Sequence, residues 1–171
     1  MSILVIAPHA DDETLGMGGT ISKKIKDGYE VFVAILTGPG DKPHPFISQK
    51  LLLKIREESK RALNVLGVKN IIYRSIPPLY LAEELDWKIN KLVGEIIDKV
   101  KPEEVYIPFA NDLHNDHKAA CYAANVYCRP YLNQVNYIKR VLAYETTSET
   151  NLEFFENRFH PNVYIDISET I

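Results

Sequence analysis

Cysteine is nearly missing from this 171-residue sequence, which holds two, Cys121 and Cys128. Seven positions apart in a helical-looking stretch, they can share a helix face but cannot bond to each other within the helix. That sets aside a disulfide-stapled secreted fold, and packing residues of a reducing compartment are expected. Long apolar runs are missing too. No stretch approaches the roughly 18 apolar residues of a membrane span. The opening "MSILVIAPHADD" lacks the basic start of a signal peptide, so a cytoplasmic protein with no transmembrane segment is expected. There is no excess of positive charge. A formal net charge of −3 implies no broad basic surface, which argues against a nucleic-acid partner. Lys23, Lys24 and Lys26 read as a solvated helix face. With no repeat, low-complexity tract or linker, residues 1–171 are expected to form a single domain with a substantial core.

What is there alternates. Strand-like runs occur at "ILVIAP", "EVFVAILTG", "NIIYRSI", "EEVYIPF", "RVLAYE" and "NVYIDIS", mostly continuous rather than alternating, as in strands covered on both faces. Helical segments separate the first four. "DETLGMGGTISKKIKDG" ends at Gly28, and "SQKLLLKIREESKRALNVLG" places Leu51, Leu52, Ile55, Leu63 and Leu66 on a stripe before Gly67. "LAEELDWKINKLVGEIIDKVKP" stops at Pro102, and "HNDHKAACYAANVYCRP" closes at Pro130. This order predicts an α/β fold, a Rossmann-like sandwich around a mostly parallel central sheet. In such sheets ligands bind beyond the carboxyl ends of the strands, near the switch point. The segments after the first and fourth strands, "PHADDE" and "NDLHNDH", therefore project to one edge.

Several chemistries lack their signature. "TTSET" is no nucleophile elbow, and neither cysteine sits in a catalytic histidine context. The glycines of "GMGG" come too late for a dinucleotide fingerprint, and the preceding turn carries carboxylates that repel a pyrophosphate. Gly16, Gly18 and Gly19 instead suit a close approach of the helix to the sheet or a neighbouring loop.

The two clusters are rich in metal-ligand types. His9 and Asp12, three apart across a strand-to-helix turn, can converge on one point, and His117 completes two imidazoles and a carboxylate. Three protein ligands with an open position is the arrangement of a catalytic Zn2+, although the set also suits Fe2+. Asp11 is left beside the site as a general base. His114, three before His117, can stabilise an oxyanion or hand on a proton, with Asp116 behind it to fix its tautomer. A purely structural reading also exists. Asp11, Asp12 and Glu13 would favour a helix N-terminus, His114 or Asn115 would cap a helix, and His117 would lie on a solvated face. His44 and His160, flanked by prolines, read as loop residues outside the metal set.

"PHADDE" followed by "HNDH" resembles the zinc-dependent de-N-acetylases of the PIG-L/LmbE family. "REESKRALNVLGV", "CRP" and "HPNVYIDIS" extend the likeness over most of the chain. The resemblance implies His9, Asp12 and His117 as zinc ligands and Asp11 as general base. It implies His114 as oxyanion or leaving-group partner backed by Asp116, and Arg56 as a residue facing the substrate. It implies a trimer or hexamer. The sequence stops at "DISETI", where family members usually continue into a further helix, so either that helix is missing here or one wall of the cleft comes from elsewhere. No position matches the family's pocket tyrosine clearly, and Tyr144 stays unassigned. The expected activity is hydrolysis of the N-acetyl group of an N-acetylglucosamine-type amino sugar or its conjugate, giving acetate and an amine. The alternatives are a metal-dependent amidase for a non-sugar or thiol-conjugate amide, and a non-catalytic sugar- or nucleotide-binding module.

Overall fold

The computed structural model describes residues 1–130, 133–152 and 158–170. β1 (Ser2–Ala7), β2 (Glu30–Thr37), β3 (Asn70–Ile76), β4 (Glu104–Pro108) and β5 (Arg140–Tyr144) form one sheet in the order β3-β2-β1-β4-β5. Every neighbouring pair is parallel. The helices are α1 (Asp12–Lys26), α2 (Gln49–Val65), α3 (Asp86–Val100) and α4 (Asn115–Tyr127). The result is a five-stranded, all-parallel α/β sandwich.

The pleat of β1 explains why its sequence is apolar throughout. Ile3, Val5 and Ala7 face a core that includes Met17 and Ile21 of α1 and Leu63 of α2. Leu4 and Ile6 face the opposite core, with Ile89, Val93, Ile96 and Ile97 of α3 and Ala120, Ala123 and Ala124 of α4. Burying each Leu or Ile contributes about 1.5–3 kcal/mol, which makes the double-sided burial of β1 the main anchor of the fold. Both cysteines are free and pack with the α3–α4 layer.

The helix ends follow their sequence signals. Ser48 caps α2 by accepting the Leu51 amide at 3.2 Å, and Gly28 and Gly67 take φ of 84° and 87° just beyond α1 and α2. A Cβ on Gly16 would lie 2.5 Å from the Glu145 carbonyl oxygen, so α1 needs glycine there to approach the end of β5.

Four expectations are corrected. Lys24 is not on a solvated face: it is buried and pairs with Glu104 at 2.9 Å. Leu51 falls off the α2 stripe and is exposed, leaving Leu52 and Leu63 as the buried leucines of that helix. Residues 81–85 are not part of α3, which starts at Asp86. "NVYIDIS" is not a strand. Its β-branched composition suits a pleated surface, but none of the described residues pairs with it in a ladder, and Val163 and Tyr164 remain exposed.

Candidate metal centre

The chain order reverses direction between β1 and β4, and the loops after these strands meet at the resulting crevice. Thr37, at the end of β2, grips the turn after β1. Its amide and hydroxyl both donate to the Pro8 carbonyl, at 3.0 and 2.8 Å. The next residue, His9, donates its amide to Asp12 Oδ2 at 2.8 Å, which folds the first turn of α1 back on the strand end. From the other side, α4 starts at Asn115 and presents His117, 1% exposed, to the same point.

His9 Nδ1 and His117 Nε2 stand 3.1 Å apart. Asp12 Oδ2 lies 3.4 Å from the first and 3.2 Å from the second. Each ring's outer nitrogen already faces a buried carboxylate, His9 Nε2 at 3.0 Å from Asp116 Oδ2 and His117 Nδ1 at 3.0 Å from Asp112 Oδ2. A carboxylate only accepts, so the outer nitrogens carry the protons of the neutral rings and the inner nitrogens present lone pairs. Two nitrogen lone pairs and a carboxylate oxygen so close together repel one another unless a cation lies between them. Tetrahedral ligands about 2.0–2.1 Å from a zinc ion are about 3.3–3.4 Å from each other. The three residues fit such an ion.

The electrostatics point the same way. Asp12, Asp112 and Asp116 are all buried, at 3%, 0% and 0% exposure, around two imidazoles. Burial lowers the pKa of both rings, but carboxylates outweigh it: Asp116 and Asp12 raise His9, and Asp112 and Asp12 raise His117. Burial works to raise Asp12, yet the two imidazoles hold it well below the usual carboxylate range. The cluster favours positive charge at its centre.

His114 joins this group, its ring centroid 4.5 Å from His9 and 5.1 Å from His117. Ligand atoms of the three histidines lie within 4.8 Å of one another, a looser set than the one containing Asp12. His114 is also the N-cap of α4, and its Nδ1 accepts the Asp116 amide at 3.1 Å. The neutral ring therefore carries its proton on Nε2. Burial and the nearby His9 lower its pKa, which favours the neutral N–H donor over the imidazolium.

Asp116 does not stand behind His114. Its Oδ2 meets His9 and accepts the Leu79 amide at 2.8 Å, while Oδ1 accepts the Ala82 amide at 2.9 Å. The carboxylate belongs to the turn that precedes α3 and to His9, and only its backbone touches His114. Sequence reasoning missed Asp112, which backs His117 and also accepts from Thr150 Oγ1 at 3.2 Å. A carboxylate five residues before His117 was the available signal.

A cleft of about 500 Å3 opens beside the three residues, with Asp11, Arg56 and His114 in its lining. Asp11 is the N-cap of α1, but its side chain makes no capping bond. Burial and the adjacent Asp12 raise its pKa above the ordinary carboxylate range. Arg56, on α2, reaches across to β3. Its Nη2 donates to the Arg74 carbonyl, and its guanidinium lies 5.1 Å over the Tyr73 ring. Gly38 makes room for it, since a Cβ there would sit 2.3 Å from Nη2. Tyr144 lies outside the cleft lining, buried with its hydroxyl donating to the Ile6 carbonyl at 2.9 Å. His44 and His160 are loop residues outside the metal set.

A parallel α/β sheet with two histidines and a carboxylate converging at its switch point is an arrangement that suits a metal ion. More narrowly, residues 4–128 match the family model described as PIG-L, GlcNAc-PI de-N-acetylase, and the chain belongs to that family. Over 99% of its length it is 28% identical to a diacetylchitobiose deacetylase of Thermococcus kodakarensis, of which it spans 64%. It is also 28% identical, over 98% of its length, to an uncharacterised deacetylase, YaiS, of Escherichia coli, spanning 82% of that protein. Among solved structures, the N,N'-diacetylchitobiose deacetylase of Pyrococcus horikoshii, complexed with its inhibitor MPG, superposes with a TM-score of 0.72 at 25% identity. That match covers 98% of this chain and 64% of the other. No helix among the described residues is long and apolar enough to cross a membrane.

Proposed function

We propose that this chain is a metal-dependent hydrolase that removes the N-acetyl group from an amino sugar, releasing acetate and a free amine. The observation that carries the reading is the convergence of His9, Asp12 and His117 within 3.4 Å, at the edge of a cleft that also holds Asp11 and His114. Membership of a de-N-acetylase family and likeness to deacetylases of diacetylchitobiose support it. His9, Asp12 and His117 hold a divalent cation, which their nitrogen and oxygen donors suit as Zn2+. When bound, that cation supplies Lewis acidity toward the amide carbonyl and makes water more acidic.

The remaining chemistry belongs to the chain. Asp11, its carboxylate free of capping duty and its pKa raised, takes the proton from the attacking water. The Nε2–H of His114 donates to the oxyanion as the carbonyl carbon becomes tetrahedral, and needs no extra proton to do so. Asp11 then returns its proton to the departing nitrogen, and acetate and the amine leave. Asp112 and Asp116 hold the outer nitrogens of His117 and His9, which fixes both tautomers. Arg56 and Tyr73 supply a polar, aromatic floor for the sugar.

The test is amine release by zinc-loaded protein from N,N'-diacetylchitobiose, N-acetylglucosamine and a simple N-acetyl alkylamine. Release from the sugars and little from the alkylamine is expected. Protein that holds zinc but releases no amine from either sugar would overturn the reading.

A further inference from the structure

The rim of the cleft carries two large apolar side chains that the fold holds in demanding positions. Leu79 has φ of 75°, a left-handed conformation that leucine rarely adopts. Asp116 keeps it there by accepting the Leu79 and Ala82 amides. Leu79 is 37% exposed and lines the cleft. Phe46, between β2 and α2, is 85% exposed and also lines the cleft. Its backbone is pinned, because His44 Nδ1 accepts the amides of Phe46 and Ile47, each at 3.0 Å. The two rim segments are tied to each other as well. The Tyr80 hydroxyl donates to the Pro43 carbonyl at 3.1 Å, and Lys42 pairs with Glu84 at 3.3 Å.

Holding a leucine in a strained conformation and a phenylalanine on a fixed loop, both open to solvent, does not serve the core. Strain and exposed apolar surface of this kind concentrate where ligands bind. The same cleft lining includes the apolar side chains of Ile47, Leu52 and Ile55. Sugar hydroxyls find no hydrogen-bond partner on such a wall, and burying them against it is unfavourable.

We propose that Phe46 and Leu79 grip an apolar aglycone, so that the preferred substrate is an N-acetylated amino sugar bearing an alkyl group at its anomeric oxygen. This rests on the deacetylase reading and adds the chemistry of the group next to the sugar.

The test compares the methyl and hexyl β-glycosides of N-acetylglucosamine on zinc-loaded protein. The hexyl glycoside should have a KM about tenfold lower at similar kcat, which corresponds to shielding about two methylenes. Leu79→Gly removes the side chain and accepts the positive φ without strain, so its thermal midpoint should not fall while the KM ratio moves toward one. Phe46→Ser should lower the ratio too. Val65→Ser, at an 87% exposed residue at the far end of α2, should leave it unchanged. Equal KM values for the two glycosides, or a ratio untouched by both rim variants, would overturn the proposal. Calorimetric binding separates it from the reading beneath it. If neither glycoside is turned over, tighter binding of the hexyl form that Leu79→Gly abolishes sustains the rim inference while the hydrolase reading fails. Equal binding overturns the rim inference as well.

Discussion

Buried charge gathers at both ends of the sheet, and the two gatherings are built differently. At the amino ends of the strands, Glu104 meets Lys24 at 2.9 Å, Arg140 Nε at 3.0 Å and the Tyr106 hydroxyl at 2.9 Å. One carboxylate is answered by two cations of the chain itself, so the cluster is closed. At the carboxyl ends, three buried carboxylates surround two imidazoles whose outer nitrogens are already engaged and whose inner nitrogens converge on one point with Asp12. That cluster is open, with a centre that a cation fits. A closed network fixes how elements pack, whereas an open one of the same residue types binds something.

The largest break in this comparison is His117→Ala. It should abolish tight zinc binding and, with it, turnover, as read by metal content after dialysis and by amine release. Zinc should raise the thermal midpoint of the wild type but not of this variant. Normal zinc binding by His117→Ala would rule out the ligand set. Asp11→Asn should keep its metal yet lose about 10²–10⁴-fold in turnover, and full activity would exclude Asp11 as the base. Asp112→Asn touches neither metal nor substrate but removes the acceptor behind His117. A fall of about 10–100-fold in zinc affinity is expected, measured by competition with a chromophoric chelator.

The layout of the open cluster was legible because it depends on local patterns. Continuous apolar runs located the first five strands, helix stops at Gly28, Gly67 and Pro102 located the crossovers, and the strand-helix alternation brought "PHADDE" and "HNDH" to one edge. His9, Asp12 and His117 could therefore be grouped from sequence, and the fold brings them together. What was not legible depends on partners far along the chain. Lys24 looks like any helix lysine until Glu104, eighty residues on, is placed beside it. Asp116 lies two residues from His114, yet its carboxylate is claimed by the turn at residues 79–82 and by His9, which no spacing rule reveals. Leu79 gives no turn signal, because its left-handed backbone is imposed by that same carboxylate. "NVYIDIS" had the right propensity but pairs with neither edge strand, β3 or β5.

The smallest expected effect tests the closed cluster, through pH. Burial works to raise the Glu104 pKa, but hydrogen bonds from Arg140, Lys24 and Tyr106 outweigh it and bring it below the ordinary glutamate range. The unfolded chain thus takes up a proton at higher pH than the folded protein does. The stabilisation from Glu104 is present at neutral pH and is lost as the pH falls below about 4 toward the folded-state value. Glu104→Gln mimics the protonated side chain. Its thermal midpoint should lie several degrees below wild type at pH 7, with the gap closing on acidification and zinc content unchanged throughout. A gap independent of pH would show that packing at Glu104, rather than its charge, holds the amino ends of β4 and β5 to the last turn of α1. A fall in zinc content would show that the two clusters are not separate.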